Sequence, residues 1–448
     1  MATNTEPYQF LQQFRHRLWQ AYSRRADGLF ELVDALLLTL DPRSPVELSV
    51  SPAFRRRFSM VYDALRQGEL PAEQARELLR EAEPADAITV GGYALYPVDS
   101  TPQPRRDAPT LPDRGKVYST QQGGAVVGQQ YSWLGRVVAQ GQSWFAPRDV
   151  ERIPTMSTPL AIAAEQVLRL ATTLGVGALG VVVADSAYAK AAFLSAFVGL
   201  SNVFVLVRLA NNRVLYGPPP PPAVNPQTGK RQKKGRPPVH GAKFRLKSPP
   251  PPEQSLTVTL KDTPARLSWW GHLHFKALPH LEGWVLRVEF LKPDGSPKYK
   301  RPLWLFWSGP GTVDLADLAQ MYLLRFICEH FFRFLKQRLA LYCSQSTEPT
   351  AQRNWLWTVV FAYVQLMLGR TLVTAQPHPW DPAPRRDPKQ PLTPGQVQEA
   401  WATFSRELET PAQLPRPSGK GAGRVAGFQP QPRPRYPVVS KTPKLAVA

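Results

Sequence analysis

Apolar positions recur every four residues near the start of the chain, at Phe10, Phe14, Leu18 and Tyr22, and residues 1–86 read as helical on this spacing. Ser51-Pro52 has the form of a helix start, an N-cap residue followed by proline at the first helical position. The helix it predicts carries Arg55, Arg56 and Arg57 before Met60, Val61 and Leu65 turn toward a core. Such a basic helix suits a DNA groove as well as it suits an ordinary solvated face. From about residue 88 the period changes. Ile88 to Asp99, Gln129 to Val138 and Ser143 to Val150 read as strands, and Thr158 to Ala171 as a helix. Leu179 to Ala184 is a short, continuously apolar, β-branched run of the kind found in buried strands. It ends at Asp185; a helix from Tyr188 to Phe197 and a further buried strand from Val203 to Val207 follow. This order predicts an α/β core with a mixed sheet.

The pattern breaks at residue 208. Residues 208–248 hold ten Lys/Arg and no Asp or Glu, with a proline run from Pro218 to Pro222, so polyproline or irregular structure is expected there. Strand-like segments return at Leu256 to Leu260, Trp284 to Phe290 and Leu303 to Trp307. A long helix is predicted from about Asp314 to Leu341 and another from Asn354 to Leu372. The remainder, rich in proline and basic residues, is expected to be mostly disordered.

Composition narrows the function. The 448 residues carry 55 Lys+Arg against 34 Asp+Glu, a formal charge of +21, while 43% hydrophobic residues supply a sizeable core. That excludes a wholly disordered basic protein and favours a polyanionic partner, because each phosphate neutralised by Lys or Arg releases counterions. The two cysteines, Cys328 and Cys343, offer neither a disulfide framework nor a zinc pair. Met1 to Phe14 lacks a secretory core segment, and Trp355 to Leu368 is too short to span a bilayer. A cytosolic (cytoplasmic, nucleoid-associated) protein is expected.

Candidate chemistry centres on Glu329. On a continuous helix Tyr322, Arg325, Glu329 and Lys336 fall within an arc of about 60° on an otherwise largely apolar segment. This is the pattern of a buried helix with one face lining a polar site. A partly exposed helix with an Arg325–Glu329 pair, contributing about 0.5 kcal/mol or less, fits the spacing equally well. Asp99 and Asp185 tip the balance, since each stands just past a buried strand, where open α/β sheets place their ligands. Two carboxylates and a glutamate form a plausible Mg²⁺ site, and two such ions clamp both oxygens of a phosphoryl displacement.

Tyr322-x2-Arg325-x3-Glu329-x6-Lys336 resembles the Tyr-Arg-Glu-Lys signature of a large group of insertion-sequence DDE transposases. Asp99-Ser100-Thr101 and Asp185-Ser186-Ala187-Tyr188 are similar to that family's first and second aspartate motifs. The resemblance spans roughly residues 88–372. It implies an RNase H-like core in which Asp99, Asp185 and Glu329 are catalytic and bind two Mg²⁺ ions, with Mn²⁺ able to substitute. It further implies that Tyr322, Arg325 and Lys336 contact double-stranded DNA at element ends and target, and that a homodimer pairs two ends. The expected organisation is a helical DNA-binding region (1–86), a first part of the core (87–207), a β-rich basic insertion (208–310), a second part of the core (311–372) and the proline-rich tail (373–448). Lys230, Arg231, Lys233, Lys234 and Arg236 make a phosphate-contacting loop on composition alone. The insertion tryptophans Trp269, Trp270, Trp284, Trp304 and Trp307 are expected to pack in a core, although the family can use one to stack on a flipped base. His272-x-His274 reads as structural. The function these readings predict is cut-and-paste DNA transposition: DNA cleavage followed by strand transfer. An RNase H-like nuclease without strand transfer, and an inactive transposase-derived DNA-binding protein, are the alternatives. A structural or membrane-surface protein would need a dominant basic amphipathic helix, and none is evident.

Overall fold

The helical spacing of the N-terminal stretch becomes four helices, α1 (Glu6–Ala21), α2 (Ala26–Leu38), α3 (Ser59–Gln67) and α4 (Ala72–Glu81). Strands β1 (Thr89–Val90), β2 (Tyr93–Pro104), β3 (Gly115–Ser119), β4 (Gly124–Val137) and β5 (Phe145–Ile153) follow, then α5 (Pro159–Thr173), β6 (Gly180–Ala184), the short α6 (Ala191–Leu194) and β7 (Val203–Arg208). Next come β8 (Val214–Tyr216), β9 (Lys243–Arg245), β10 (Gln254–Leu260), β11 (Thr263–Phe275), β12 (Leu278–Phe290) and β13 (Leu303–Trp307). Helices α7 (Leu315–Leu324), α8 (Ile327–Gln337), α9 (Pro349–Leu368) and α10 (Pro394–Phe404) complete the order. The structure is a computed structural model and describes residues 6–119, 122–139, 141, 143–221, 238–374, 392–417, 423 and 425–440. It divides into two units, one of Met1–Ala87, Ser100–Thr158 and Ile327–Ala448, the other of Ile88–Asp99 and Pro159–Phe326.

The first unit is built around α9. This helix is apolar on every side and buried along almost its whole length from Ala351 to Leu368, as a helix surrounded by others must be. Helices α1, α2, α3 and α10 pack on it. In the same unit β4 pairs antiparallel with β3 and with β5. The core under β5 is aromatic: Phe331 of α8 lies 4.6 Å from Phe145 and 4.8 Å from Tyr363, ring centre to ring centre. The Tyr363 hydroxyl accepts the Phe145 N–H at 3.1 Å, and the Trp144 indole donates to the Leu392 carbonyl at 2.8 Å.

One expectation for this unit fails. Ser51-Pro52 opens a turn, and α3 starts only at Ser59, so Arg55, Arg56 and Arg57 stand on irregular chain instead of a helix. The cause is Glu31, a buried carboxylate of α2. Arg55 Nε donates to it at 2.9 Å and Arg56 Nε approaches its other oxygen at 3.2 Å. Burial pushes the Glu31 carboxyl up, against the pull of Arg56 and Arg55, so both guanidinium groups answer a cost inside the protein. Within the proline-rich tail α10 buries Val397, Trp401 and Phe404 and packs against α2 and α9. A capping box between Thr393 and Gln396, with Pro394 at the first helical position, starts it.

In the second unit β2, β6 and β7 run parallel. β6 is buried at all five positions, as a strand covered on both faces requires. Helices α5 and α7 both pack on β7, and α7 also on β6. The strands of residues 208–310 continue this same sheet. β13 pairs antiparallel with β7, β12 with β13, and β11 with β12, β10 and β8. The whole is a mixed α/β fold with a large mixed sheet flanked by helices, consistent with an RNase H-like fold.

The insertion tryptophans mostly pack. Trp269, Trp270, Trp304 and Trp307 are buried, and half-buried Trp284 stacks on Trp269 at 5.1 Å. A bulge between Trp270 and Leu273 breaks the strand alternation at His272, whose φ is 54°. His272 therefore meets Glu282, whereas His274 faces His240 with ring nitrogens 2.9 Å apart. Burial, then His240, holds the His274 pKa below its ordinary 6.5. A histidine kept neutral by folding gives stability that is present above its unfolded pKa and is lost as pH falls through the folded one. The second unit is thus expected to lose stability as pH drops below about 6.5. Thermal unfolding across that range, compared with a His274→Gln variant, checks this; an equally steep pH dependence in the variant would clear His274.

Candidate active site

The register of β2 on β6 sets the site. Ala94 pairs with Gly180 and Pro97 with Val183, so the same offset carried two residues further brings Asp99 level with Asp185. Adjacent strands lie about 4.8 Å apart. The two aspartates thus stand level just past the last paired residues, Pro97 and Val183; Asp185 follows the end of β6, whereas Asp99, expected just past a strand, lies within β2, which runs on to Pro104. Asp185 is half-buried, and its Oδ1 accepts the Ala187 N–H at 2.8 Å, closing an Asx turn that fixes the side chain. Asp99 is bound by Arg325, Nη1 to Oδ2 at 3.2 Å, with side-chain exposures of 22% and 11%. A mostly desolvated guanidinium–carboxylate contact of this kind is a strong charge-assisted bond.

Arg325 owes its position to a break in the helix predicted from Asp314 to Leu341. Asp314 caps α7, accepting from Ala316 N–H at 2.6 Å and Asp317 N–H at 3.2 Å. The helix ends at Leu324; the Arg325 N–H bonds back three residues to the Tyr322 carbonyl at 3.1 Å, and α8 begins at Ile327. The 60° arc assumed one continuous helix, so that same-face relation does not hold. Nor is α8 apolar on nearly all sides. It buries Ile327, Cys328, Phe331, Phe332 and Leu335 and exposes Glu329, Arg333 and Gln337.

Of the residues singled out in the sequence, Asp99, Asp185 and Arg325 therefore belong together in the second unit, where Tyr322 is half-buried on α7. Glu329 and Lys336 are on α8 in the first unit. There the Lys336 ammonium lies 5.7 Å from the Phe332 ring centre and 5.4 Å from that of Tyr342. Lys230, Arg231, Lys233, Lys234 and Arg236 lie outside the described residues. Among the described residues no group of three or more His, Cys, Asp or Glu is arranged to hold a metal ion. The paired aspartates nevertheless fit a hard divalent cation in donor type, and Arg325 brings a positive charge to Asp99.

Sequence reasoning missed a basic cavity in the second unit. It has a volume of about 820 Å³ and begins at Ser186, the residue after Asp185; Arg208, Lys247, Arg287 and Arg301 line it. These cations are scattered over 94 positions of sequence, and only strand pairing collects them.

A large mixed sheet flanked by helices, with two aspartates level on neighbouring parallel chain segments, is consistent with an RNase H-like fold. The family profile of the DDE superfamily endonucleases matches residues 9–274, more than half of the chain, and the chain belongs to this family. That assigns DNA as substrate and DNA cleavage of the nuclease or transposase type, in a family that typically uses divalent metals. The matched stretch contains Asp99 and Asp185 and ends before α7. No curated protein matches the chain. Among the described residues no helix is long and apolar enough to cross a membrane.

Proposed function

We propose that the chain is an insertion-sequence DDE transposase that cleaves an element end and joins it to target DNA in one site. The observation that carries the reading is the β2–β6 register, which carried two residues on brings Asp99 level with Asp185, within a chain of the DDE endonuclease family. Two Mg²⁺ ions, when bound, would activate the attacking oxygen and stabilise the leaving one. Asp99 and Asp185 would supply carboxylate oxygens, with Glu329 as the third acid that the signature implies. Asp185 is preset by its Asx turn. Arg325 neutralises Asp99 until a phosphate or metal competes for it, and its fork suits a phosphodiester oxygen equally well. Tyr322 and Lys336 would add contacts near the cleaved end, the 230–236 loop and residues 1–86 would hold flanking DNA, and a homodimer would pair the two ends.

The signature over Tyr322–Lys336 separates this reading from a plain nuclease, and a two-stage assay tests it. Purified protein with Mg²⁺ is expected to nick DNA carrying the inverted repeats that flank its gene, then to join the 3′ ends to a second plasmid. Cleavage without joined product would reduce the protein to a nuclease; DNA binding with neither would make it an inactive descendant.

A further inference from the structure

The cavity beside Asp185 collects charge that the structure leaves uncompensated. Arg208, at the end of β7, Arg301, just before β13, and Lys247 are all exposed, and none makes an ion pair with an Asp or Glu among the described residues. Arg287 of β12 is tied to Glu289 at 2.7 Å and covers the Trp304 ring at 5.8 Å. Among the described residues no carboxylate lines the cavity. Arg208 pairs across β7–β13 with Leu305, and Arg287 across β12–β13 with Trp304. Both arginines nevertheless line the one cavity, together with Lys247 and Arg301. The volume of about 820 Å³ exceeds what one small anion needs. The aromatic ring present, Trp304, is buried and roofed by Arg287, so it offers no open face for a base.

We propose that this cavity binds consecutive backbone phosphates of the DNA strand entering at Asp99 and Asp185, holding it by charge and without reading its sequence. The inference rests on the DNA-cleaving reading above and adds a strand path to it. Three of the four cations lining the cavity make no ion pair with an acid among the described residues, and exposed cations of this kind are what counterion release rewards. Ser186 joins this path to the carboxylates, because it follows Asp185 directly and lines the cavity.

The test is binding of a short fluorescein-labelled duplex of arbitrary sequence to the full chain in EDTA, by anisotropy, over a range of salt concentrations. Arg208→Gln/Arg301→Gln is expected to lower the slope of log K against log salt by about 2, roughly 0.9 for each phosphate no longer neutralised. Weakening should be equal for arbitrary and inverted-repeat duplexes, and Arg208→Lys/Arg301→Lys should restore the slope. An unchanged slope in a variant that melts like the wild type, or weakening confined to one sequence, would overturn the proposal. Asp185→Asn separates the two readings. If it abolishes cleavage while the Gln pair leaves the slope intact, the strand path alone fails; if it cleaves normally while the Gln pair flattens the slope, the catalytic reading fails and the path stands.

Discussion

Asp185→Asn is expected to lower DNA cleavage at least about a thousandfold, a loss of about 4 kcal/mol of transition-state stabilisation. Asparagine is close to isosteric with aspartate, and its amide oxygen can still accept the Ala187 N–H that fixes the turn. The fold should therefore survive with the charge alone removed. Asp99→Asn is expected to be as damaging to cleavage but different in stability, because it also removes an anionic partner of Arg325, whose side chain is 11% exposed. Removing a carboxylate from a largely buried guanidinium costs more than trimming an exposed ion pair. Cleavage of a supercoiled plasmid in Mg²⁺, read beside thermal melts of both variants, distinguishes these effects. Residual activity within tenfold of wild type in Asp185→Asn would remove Asp185 from the chemistry.

What the sequence revealed of this site follows from which signals are local. The run Val181 to Ala184 and the aspartate behind it are legible because a strand buried on both faces must be apolar throughout, and its end is where polarity returns. The level placement of Asp99 beside Asp185 is not local; it depends on the β2–β6 register, which no periodicity within either strand specifies. The break after Leu324 was hidden for a different reason. Neither Arg325 nor Phe326 is a helix breaker, and the chain turns there while Arg325 is held by Asp99, far away in sequence. Arg55 and Arg56 mislead in the same way, since the buried carboxylate of Glu31 that holds them off a helix is invisible in their own neighbourhood. α10 is the opposite case. Thr393-Pro394 and Gln396 spell out a helix start, and a prolines-and-charges reading of the surrounding tail obscured it. The basic cavity escaped because charge density along the chain points to 208–248 as a whole, whereas the sheet brings in Arg287 and Arg301 from beyond it.

The largest effect on stability is expected at Arg15, which is 4% exposed on α1. Its guanidinium grips Asp34 of α2 through both nitrogens, at 2.7 and 2.9 Å, donates to Gln365 of α9, and lies 4.9 Å from the Phe30 ring centre. Three helices of the first unit thus converge on one cation. Arg15→Met should cost about 3–5 kcal/mol, because it strands a carboxylate that is 14% exposed. The Asp34 charge also contributes, after burial, to raising the Tyr22 hydroxyl, so its field already disfavours a neighbouring anion. Against a typical total stability of about 5–15 kcal/mol such a loss is severe. The penalty belongs to the orphaned charge more than to the pair, and this distinction can be measured. Replacing both residues, as Arg15→Met/Asp34→Leu, removes the orphan and should recover most of the loss, since a well-packed apolar substitute is often neutral relative to a buried ion pair. Urea unfolding of the two single variants and the double variant gives the coupling directly. If the double variant is as unstable as the sum of the singles, Arg15 contributes through its packing on Phe30 and Gln365, and the ion pair contributes nothing.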